Sequence, residues 1–213
     1  MFLGHFAVGL AASRSEPRLP LGTAFLAGQL PDAIWPYFLL AGLERVTIAP
    51  GDTAMTPLRF DHYPWSHSLA MVVVWGFVAW GVARAAGRPG RAALLLLPLA
   101  VSHWVLDVVS HRPDMPVLPS GGPLVGLGLW NSVAGTLVVE LGLFAAGLFI
   151  YGRGRRLGGG FWTLIVALLV VYGANVFGPP PPSVPAIAGS MIVVVPLLWW
   201  WGNKVGVART AVN

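Results

Sequence analysis

The sequence contains no cysteine and very few charged residues. Because Cys is absent from all 213 residues, disulfides, thiolate nucleophiles and cysteine-ligated zinc or iron–sulfur sites are excluded, and a bound metal would need imidazole, carboxylate or carbonyl ligands. Charged residues make up 10% of the chain, whereas globular domains average about 25%. A soluble protein could not cover its surface with so few ionic groups, so the composition excludes a soluble fold.

Apolar sequence is abundant instead. Hydrophobic residues account for 56% of the chain, which has 10 Trp and a mean hydropathy of +0.73. Runs of about 20 apolar residues are typical of helices that span a bilayer. Five such runs occur, at residues 68–86, 92–110, 129–151, 161–177 and 184–201.

Two further apolar stretches precede these runs. Residues 21–43 contain two prolines and an aspartate in their middle part, which predicts a broken or re-entrant helix. Residues 1–12 are too short to cross a bilayer, and because they lack a basic n-region and contain His5 we expect no cleaved signal peptide. We therefore predict an all-α, polytopic integral membrane helical bundle, with five or six spans plus a short N-terminal helix in a single domain over residues 1–213.

The net charge of +5 indicates how the helices are oriented in the membrane and does not indicate nucleic-acid binding. Ten of the 13 basic residues lie in one alternating set of connections, which the positive-inside rule places in the cytoplasm together with the C-terminus. The other set, residues 44–66, 111–128 and 178–183, is then external. We expect a protein of the bacterial inner (plasma) membrane whose site faces the extracytoplasmic side, with membrane lipids as partners and no nucleic acid.

Three ionisable residues on one apolar run form a candidate metal site. At about 100° per residue, His103, Asp107 and His111 fall within about 80° on one helical face. An isolated ionisable group at such depth costs about 2.5–3.5 kcal/mol, so a cluster implies mutual compensation, for which a bound cation is well suited. The alternative interpretation is a His–Asp hydrogen bond that holds helices together.

His67 opens the preceding run, where Ser66 is expected to cap the helix. A short cytoplasmic turn joins this run to the one that carries His103, so the two helices are expected to be antiparallel neighbours. This proximity favours a functional role for His67 over that of an ordinary interfacial histidine.

Three more ionisable residues have competing interpretations. Asp32 follows the predicted helix break, and taken alone it is expected to cap the next helix. His5, taken alone, is expected to be a core histidine that bonds to a backbone carbonyl. Glu140 lies on a polar stripe with Ser132 and Thr136, which is expected to face the bundle interior, where Glu140 needs a partner.

No Lys or Arg accompanies these intramembrane groups. A structural salt-bridge network would have included cationic side chains, so by elimination we expect the counter-charge to be a metal ion. The mixture of His and Asp favours Zn²⁺, as one to three ions, with Mn²⁺ or Fe²⁺ as alternatives.

Four short motifs resemble a known family. In chain order they are Gly4-His5, Leu30-Pro31-Asp32, residues 62–68 (HYPWSHS) and residues 103–107 (HWVLD), all within about the first 119 residues. They resemble the YdjM-like predicted membrane-bound metal-dependent hydrolases, a family similar to the all-helical zinc-dependent phospholipase C and P1 nuclease fold. The resemblance implies that the metal ligands are His5, Asp32, His67, His103 and Asp107. Where the family often has a second acid, in the pattern Pro-Asp-x-Asp, this chain has Ile34.

The leading hypothesis is a metal-dependent hydrolase in which a metal-activated water attacks a lipid or amphiphilic substrate. Trp65, Trp104 and Trp130 are expected to supply aromatic walls, and the phospholipase-like resemblance implies a phosphoester. Asp32 and Glu140 are the candidate general bases, and Glu140, like His111, is also counted among the candidate metal ligands.

Three alternatives stay open. The first is an intramembrane zinc amidase of the ceramidase type. The second is an ion transporter or channel that uses Asp32 and Glu140. The third is a scaffold with a structural metal.

Overall fold

The computed structural model describes residues 1–206, so the prediction of a cytoplasmic C-terminus, which concerns residues 207–213, lies outside the described residues. The described chain is a bundle of α-helices with two short two-stranded sheets. The helices are α1 (Leu3–Ser15), α2 (Leu21–Gly28), α3 (Leu30–Leu40), α4 (Pro64–His67), α5 (Leu69–Ala85), α6 (Gly90–Leu94), α7 (Leu96–Ser110), α8 (Val133–Gly152), α9 (Gly159–Phe177) and α10 (Val184–Val205). The strands are β1 (Arg45–Ile48), β2 (Leu58–His62), β3 (Met115–Pro116) and β4 (Leu124–Val125).

Several of these helices are long and apolar enough to cross a bilayer. They are α8, α9, α10 and the segment Gly90–Ser110, which comprises α6 and α7; α5 is equally apolar but has 17 residues. The predicted all-α membrane bundle is therefore confirmed. The predicted and observed starts of a long helix differ most at α8. The predicted run begins at residue 129, whereas α8 begins at Val133, because the Ser132 hydroxyl accepts the Gly135 N–H at 3.1 Å and caps the helix there.

The stretch over residues 21–43 is two helices, as the predicted break requires. α2 ends at Gly28 and α3 begins at Leu30, with the intervening Gln29 at φ −106° and ψ 14°. Pro31 lies in the first turn of α3, where the missing N–H removes no helical hydrogen bond. The break places the next residue, Asp32, at the start of a helix inside the bundle.

The N-terminal helix α1 lies inside the bundle against α8, α2 and α7. Its 13 residues extend about 20 Å, which is short of the hydrocarbon thickness of a bilayer. The approach to α8 is close, since a Cβ on Gly147 would lie 2.8 Å from the backbone of Ala7. This central position carries His5 into the protein interior.

The predicted external connections lie together at one end of the bundle. β1 pairs with β2 in an antiparallel hairpin, and β3 pairs with β4. The Met55 N–H, between β1 and β2, donates to the Trp130 carbonyl at 3.0 Å, and the Asp52 carboxylate pairs with Arg112 at 2.7 Å. The hairpin is thereby held against the connection that follows α7.

The basic connections meet at the opposite end. Arg14, at the end of α1, donates to the Arg153 carbonyl after α8 at 3.4 Å. The Glu16 carboxylate accepts from Arg18 at 2.9 Å and lies 3.7 Å from Arg91. The hydrogen bond from Arg18 lowers the pKa of Glu16 below its ordinary value. Three connections that the charge pattern assigns to one side therefore do share one end.

Candidate metal centre

Five of the seven predicted ligands come together inside the bundle. They are His5 on α1, Asp32 on α3, His67 at the end of α4, and His103 and Asp107 on α7. The four residues other than Asp32 are buried, while the Asp32 side chain is 29% exposed. The chain thus gathers three imidazoles and two carboxylates from four different helices.

His5, His103 and Asp107 form one half of this cluster. The two carboxylate oxygens of Asp107 lie 3.2 Å from His5 Nε2 and 3.0 Å from His103 Nε2. The His5 and His103 rings stack with their centroids 3.9 Å apart and their planes 9° from parallel. One atom from each side chain lies within 4.8 Å of the other two, which suits coordination of one cation.

Asp32, His67 and His103 form the other half. Asp32 Oδ1 lies 3.4 Å from His67 Nε2 and 3.9 Å from His103 Nε2. One atom from each of these three side chains again lies within 4.8 Å of the other two. Because His103 belongs to both halves, the five residues form one continuous cluster. Each half has two histidines and one carboxylate, a ligand set found at catalytic zinc and at non-haem iron(II).

The unpaired ring nitrogens fit a cation. Among the described residues, His5 Nδ1 is buried without a hydrogen-bond partner, and the buried His5 Nε2 and His103 Nε2 face Asp107 oxygens at 3.2 and 3.0 Å without forming hydrogen bonds. Buried polar atoms without partners are costly and call for an explanation such as a bound ion. The Met1 amino group also contacts Asp107 Oδ1, so this carboxylate has one cationic partner within the protein.

A backbone carbonyl orients His103. The carbonyl oxygen of Gly28, at the end of α2, lies 2.9 Å from His103 Nδ1. Because a carbonyl only accepts, Nδ1 carries a proton, so that in the neutral ring the lone pair is on Nε2, which faces Asp107 and Asp32. Orientation of a metal-binding histidine through its other nitrogen is the usual arrangement in metal sites.

His67 is oriented by a relay that the sequence did not reveal. Its Nδ1 lies 2.6 Å from the Ser66 hydroxyl, and that hydroxyl donates to Glu44 Oε2 at 2.7 Å. The Ser66 N–H also donates to Glu44 Oε1, at 2.8 Å. Glu44 is buried in the connection after α3, 22 residues before Ser66, so no local spacing could have linked the two. The expectation that Ser66 caps the helix is wrong, because Ser68 accepts the Met71 N–H at 3.3 Å and caps α5 instead.

Two other expectations for isolated residues are also wrong. Asp32 makes no cap hydrogen bond at the start of α3, where Gln29 is the N-cap residue; its carboxylate faces His67 and His103 instead. His5 has no backbone carbonyl partner among the described residues. The predicted pairing of the two antiparallel helices is confirmed, since α5 packs against α7.

His111 lies beside the cluster and has its own partners. It follows the last turn of α7, with Nε2 4.0 Å from Asp107 and Nδ1 3.0 Å from Asp114. Tyr63 donates to Asp114 at 3.1 Å. Burial lowers the pKa of His111 and raises the pKa of Tyr63 well above its ordinary value, which favours a neutral imidazole and a protonated phenol.

Glu140 is engaged at the start of α1 and not in the cluster. Its Oε2 accepts the N–H groups of Phe2 and Leu3 at 2.8 and 2.6 Å. The first N–H groups of a buried helix need acceptors, and a carboxylate there also interacts favourably with the helix dipole. The partner that Glu140 required is therefore the backbone of α1.

The cluster borders a cavity of about 590 Å³, within the range of about 300–1,000 Å³ that is usual for small-molecule sites. Its polar lining includes Asp32, His67, Asp107, His111 and Glu140, and the remaining lining is mainly apolar.

The three tryptophans expected around the site have different positions. Trp130 lines the cavity and contacts the His111 ring, with centroids 4.2 Å apart. Trp104 instead donates to the Pro116 carbonyl at 3.0 Å, and Trp65 is 42% exposed. The aromatic wall was thus predicted correctly for one residue of the three.

Comparison with known proteins identifies a family. The sequence model of the family described as YdjM inner membrane protein matches residues 1–179. This range includes all five clustered residues and ends before α10. No curated protein and no solved structure matches the chain.

His103→Ala and Asp107→Ala should each remove the metal from detergent-purified protein, because each change deletes a buried ligand and leaves its partners unpaired. Elemental analysis of the purified variants measures this loss. His62→Ala is the matched control, since His62 is an exposed histidine on β2. Full stoichiometric metal in both the His103 and Asp107 variants would rule out this site.

Glu44→Gln should lower metal affinity by about 10- to 100-fold, as is typical when an outer partner of a metal-binding histidine is lost. The reason is that Ser66 would no longer be held between Glu44 and His67. A titration against a competing chelator measures the affinity, with Asp61→Asn, an exposed acid on β2, as the control. An unchanged dissociation constant in Glu44→Gln would show that the relay does not position a ligand.

Proposed function

The chain belongs to the YdjM inner membrane protein family, and from this premise we propose that it is a membrane-embedded metal-dependent hydrolase of a lipid or amphiphilic substrate. The observation that carries the proposal is the cluster of three histidines and two aspartates at the wall of an apolar cavity. Perturbed ionisable groups in such a cavity are a common signature of active sites.

Zn²⁺ is the proposed cation, held by His5, His67, His103, Asp32 and Asp107. When bound, it would lower the pKa of water and polarise the scissile group. Mn²⁺ and Fe²⁺ are alternatives, because two histidines and one carboxylate suit them as well. His103 Nε2 belongs to both halves of the cluster and can bind only one ion. We therefore propose fewer than three bound ions.

Asp32 is the proposed general base. Its carboxylate is the most exposed member of the cluster and lines the cavity, so it can accept a proton from the water that attacks the substrate. Glu140 is less suitable, because its Oε2 already accepts two backbone N–H groups.

A phosphoester is the proposed scissile group, and this part of the proposal is supported by the sequence motifs. An amide lipid is the alternative that a ceramidase-type site would cleave. The transporter alternative loses support because its two carboxylates are engaged separately, Asp32 with His67 and His103, and Glu140 with the start of α1.

We further propose that the site lies toward the extracytoplasmic side of the bacterial inner membrane. Support comes from the basic connections, which meet at the end of the bundle opposite the β1–β2 hairpin, and Met55, Leu58 and Phe60 of that hairpin line the cavity. His103 is seven residues before the end of α7, or about 10 Å along the helix.

Ala54→Cys should react with a membrane-impermeant maleimide on spheroplasts, whereas Ala86→Cys should react only after the membrane is made permeable. Both alanines are exposed, and the chain has no native cysteine to interfere. Mass shift on a gel reports the labelling. The reverse pattern would place the site on the cytoplasmic side.

Hydrolysis should depend on the metal and on Asp32. Purified, zinc-loaded protein in mixed micelles should cleave a phospholipid, lose this activity with a chelator and regain it with Zn²⁺. Asp32→Asn should lower kcat/KM by about 100-fold or more, as expected for loss of a general base. Product analysis by mass spectrometry measures cleavage.

Asp61→Asn is the control for this experiment, because Asp61 pairs with Thr47 and Arg59 on the hairpin and lies outside the cavity lining. An amide lipid with the same acyl chains is the second substrate. Cleavage of the amide alone would replace the phosphoester assignment by an amidase. Cleavage of neither lipid by fully loaded protein would overturn the hydrolase proposal.

A further inference from the structure

One wall of the cavity is a continuous apolar face of α10. Ile187, Met191, Val194 and Leu198 all line the cavity and recur at spacings of four, three and four residues, which places them on one helical face. The face extends for about 16 Å from first to last residue. It therefore offers a narrow apolar surface much longer than the polar cluster.

This wall is fixed in place by the packing of α10. A Cβ on Gly202 would lie 2.8 Å from Gly22 in α2, so the two backbones are in close contact. Near the outer end, Ile187 packs with Trp35 of α3. Phe6 and Phe25 line the cavity opposite the inner part of the α10 face. The apolar groove is thus a preformed feature of the bundle.

The groove is open on the side between α9 and α10. Ala174 and Asn175 of α9 and Ala186 and Ser190 of α10 line the cavity and are nevertheless exposed. At the inner ends the two helices close up, since a Cβ on Gly160 would lie 3.1 Å from Val205.

The surface around this opening is apolar. Val170 and Val193 flank it and are each 65% exposed, as expected for side chains that face lipid. We therefore expect the opening to lead from the cavity sideways into the bilayer.

We propose that the α10 groove binds the acyl chain of the substrate and that the chain enters sideways from the membrane between α9 and α10. This inference rests on the proposed hydrolase function. The polar cluster lies at one wall of the cavity, where Asp32, His67 and Asp107 would face a headgroup. The α10 face extends away from it and would bury the chain. α10 lies outside residues 1–179 that the family model matches, so the chain site is built by a different part of the sequence from the ligand cluster.

Binding is tested with a phospholipid that carries a photoactivatable group in its acyl chain. The full-length protein is crosslinked in lipid nanodiscs, without and with Zn²⁺, and the labelled residues are identified by mass spectrometry. Val194→Trp fills the groove, while Val193→Trp makes the same change on the adjacent, lipid-facing position. Ser190→Trp is a second blocking variant at an exposed residue, which protects the test against misfolding of Val194→Trp.

Labelling of the groove residues should fall by about tenfold in both blocking variants, because burial of the chain methylenes is lost, and should be unchanged in Val193→Trp. With the phospholipase assay, the blocking variants should raise KM for a long-chain substrate and leave a short-chain, water-soluble analogue unaffected. Metal content should match that of the unaltered protein in all three variants.

The outcomes separate the two proposals. Equal labelling in the blocking variants and in Val193→Trp, or labelling confined to outward residues such as Leu197, would identify ordinary surrounding lipid and overturn the groove. Groove labelling that the blocking variants remove, without hydrolysis of any substrate, would leave the chain site standing and overturn the hydrolase. Hydrolysis of long-chain lipid that the blocking variants do not affect would overturn the groove alone.

Discussion

The buried carboxylate of Asp107 is the point on which the rest of the site depends. Two imidazoles and the Met1 amino group surround it, because an ionised carboxylate inside the membrane needs compensation from its surroundings. One of those imidazoles, His5, belongs to α1, a helix too short to span. Its central position, with Gly147 of α8 against Ala7, brings His5 to Asp107. Glu140 completes this arrangement, because it satisfies the first N–H groups of α1 at the same depth.

The sequence predicted those parts of the fold and site that depend on local spacing. Apolar length located the long helices, and the four-residue spacing of His103 and Asp107 placed both on one face of α7. The family resemblance, and not any local pattern, added His5 and Asp32, since their positions depend on how α1 and α3 pack. Glu44 was not found, because its contact with Ser66 joins a connection and a short helix that are distant in sequence. His111 was placed on the correct face, but the helix ends there, so its ring bonds to Asp114.

The two parts of the cavity have different origins in the chain. The ligand cluster at its wall comes from α1, α3, α4 and α7, all within the first 110 residues, whereas its long apolar face comes from α10. The few charged residues of this sequence are also divided between two places. Basic residues are concentrated in connections at one end of the bundle, while Asp32, Asp107 and Glu140 lie inside it. A headgroup and an acyl chain would thus contact chemically distinct segments, so that changes to one wall can leave the other intact.

The tautomer of His103 narrows what can occupy the cluster. The Gly28 carbonyl accepts a hydrogen bond from Nδ1, so neutral His103 presents only a lone pair at Nε2. His103 Nε2 lies 3.0 Å from Asp107 Oδ2. If both atoms are acceptors they repel at this distance, unless a positive charge lies between them. A proton on Nε2 would satisfy this pair, and a neutral His5 that carries its proton on Nε2 would donate to the other Asp107 oxygen at 3.2 Å, so that only one of the two rings stacked at 3.9 Å would be charged. A divalent cation would instead place the positive charge between the carboxylate and both rings, and the metal content of the His103 and Asp107 variants distinguishes these two arrangements.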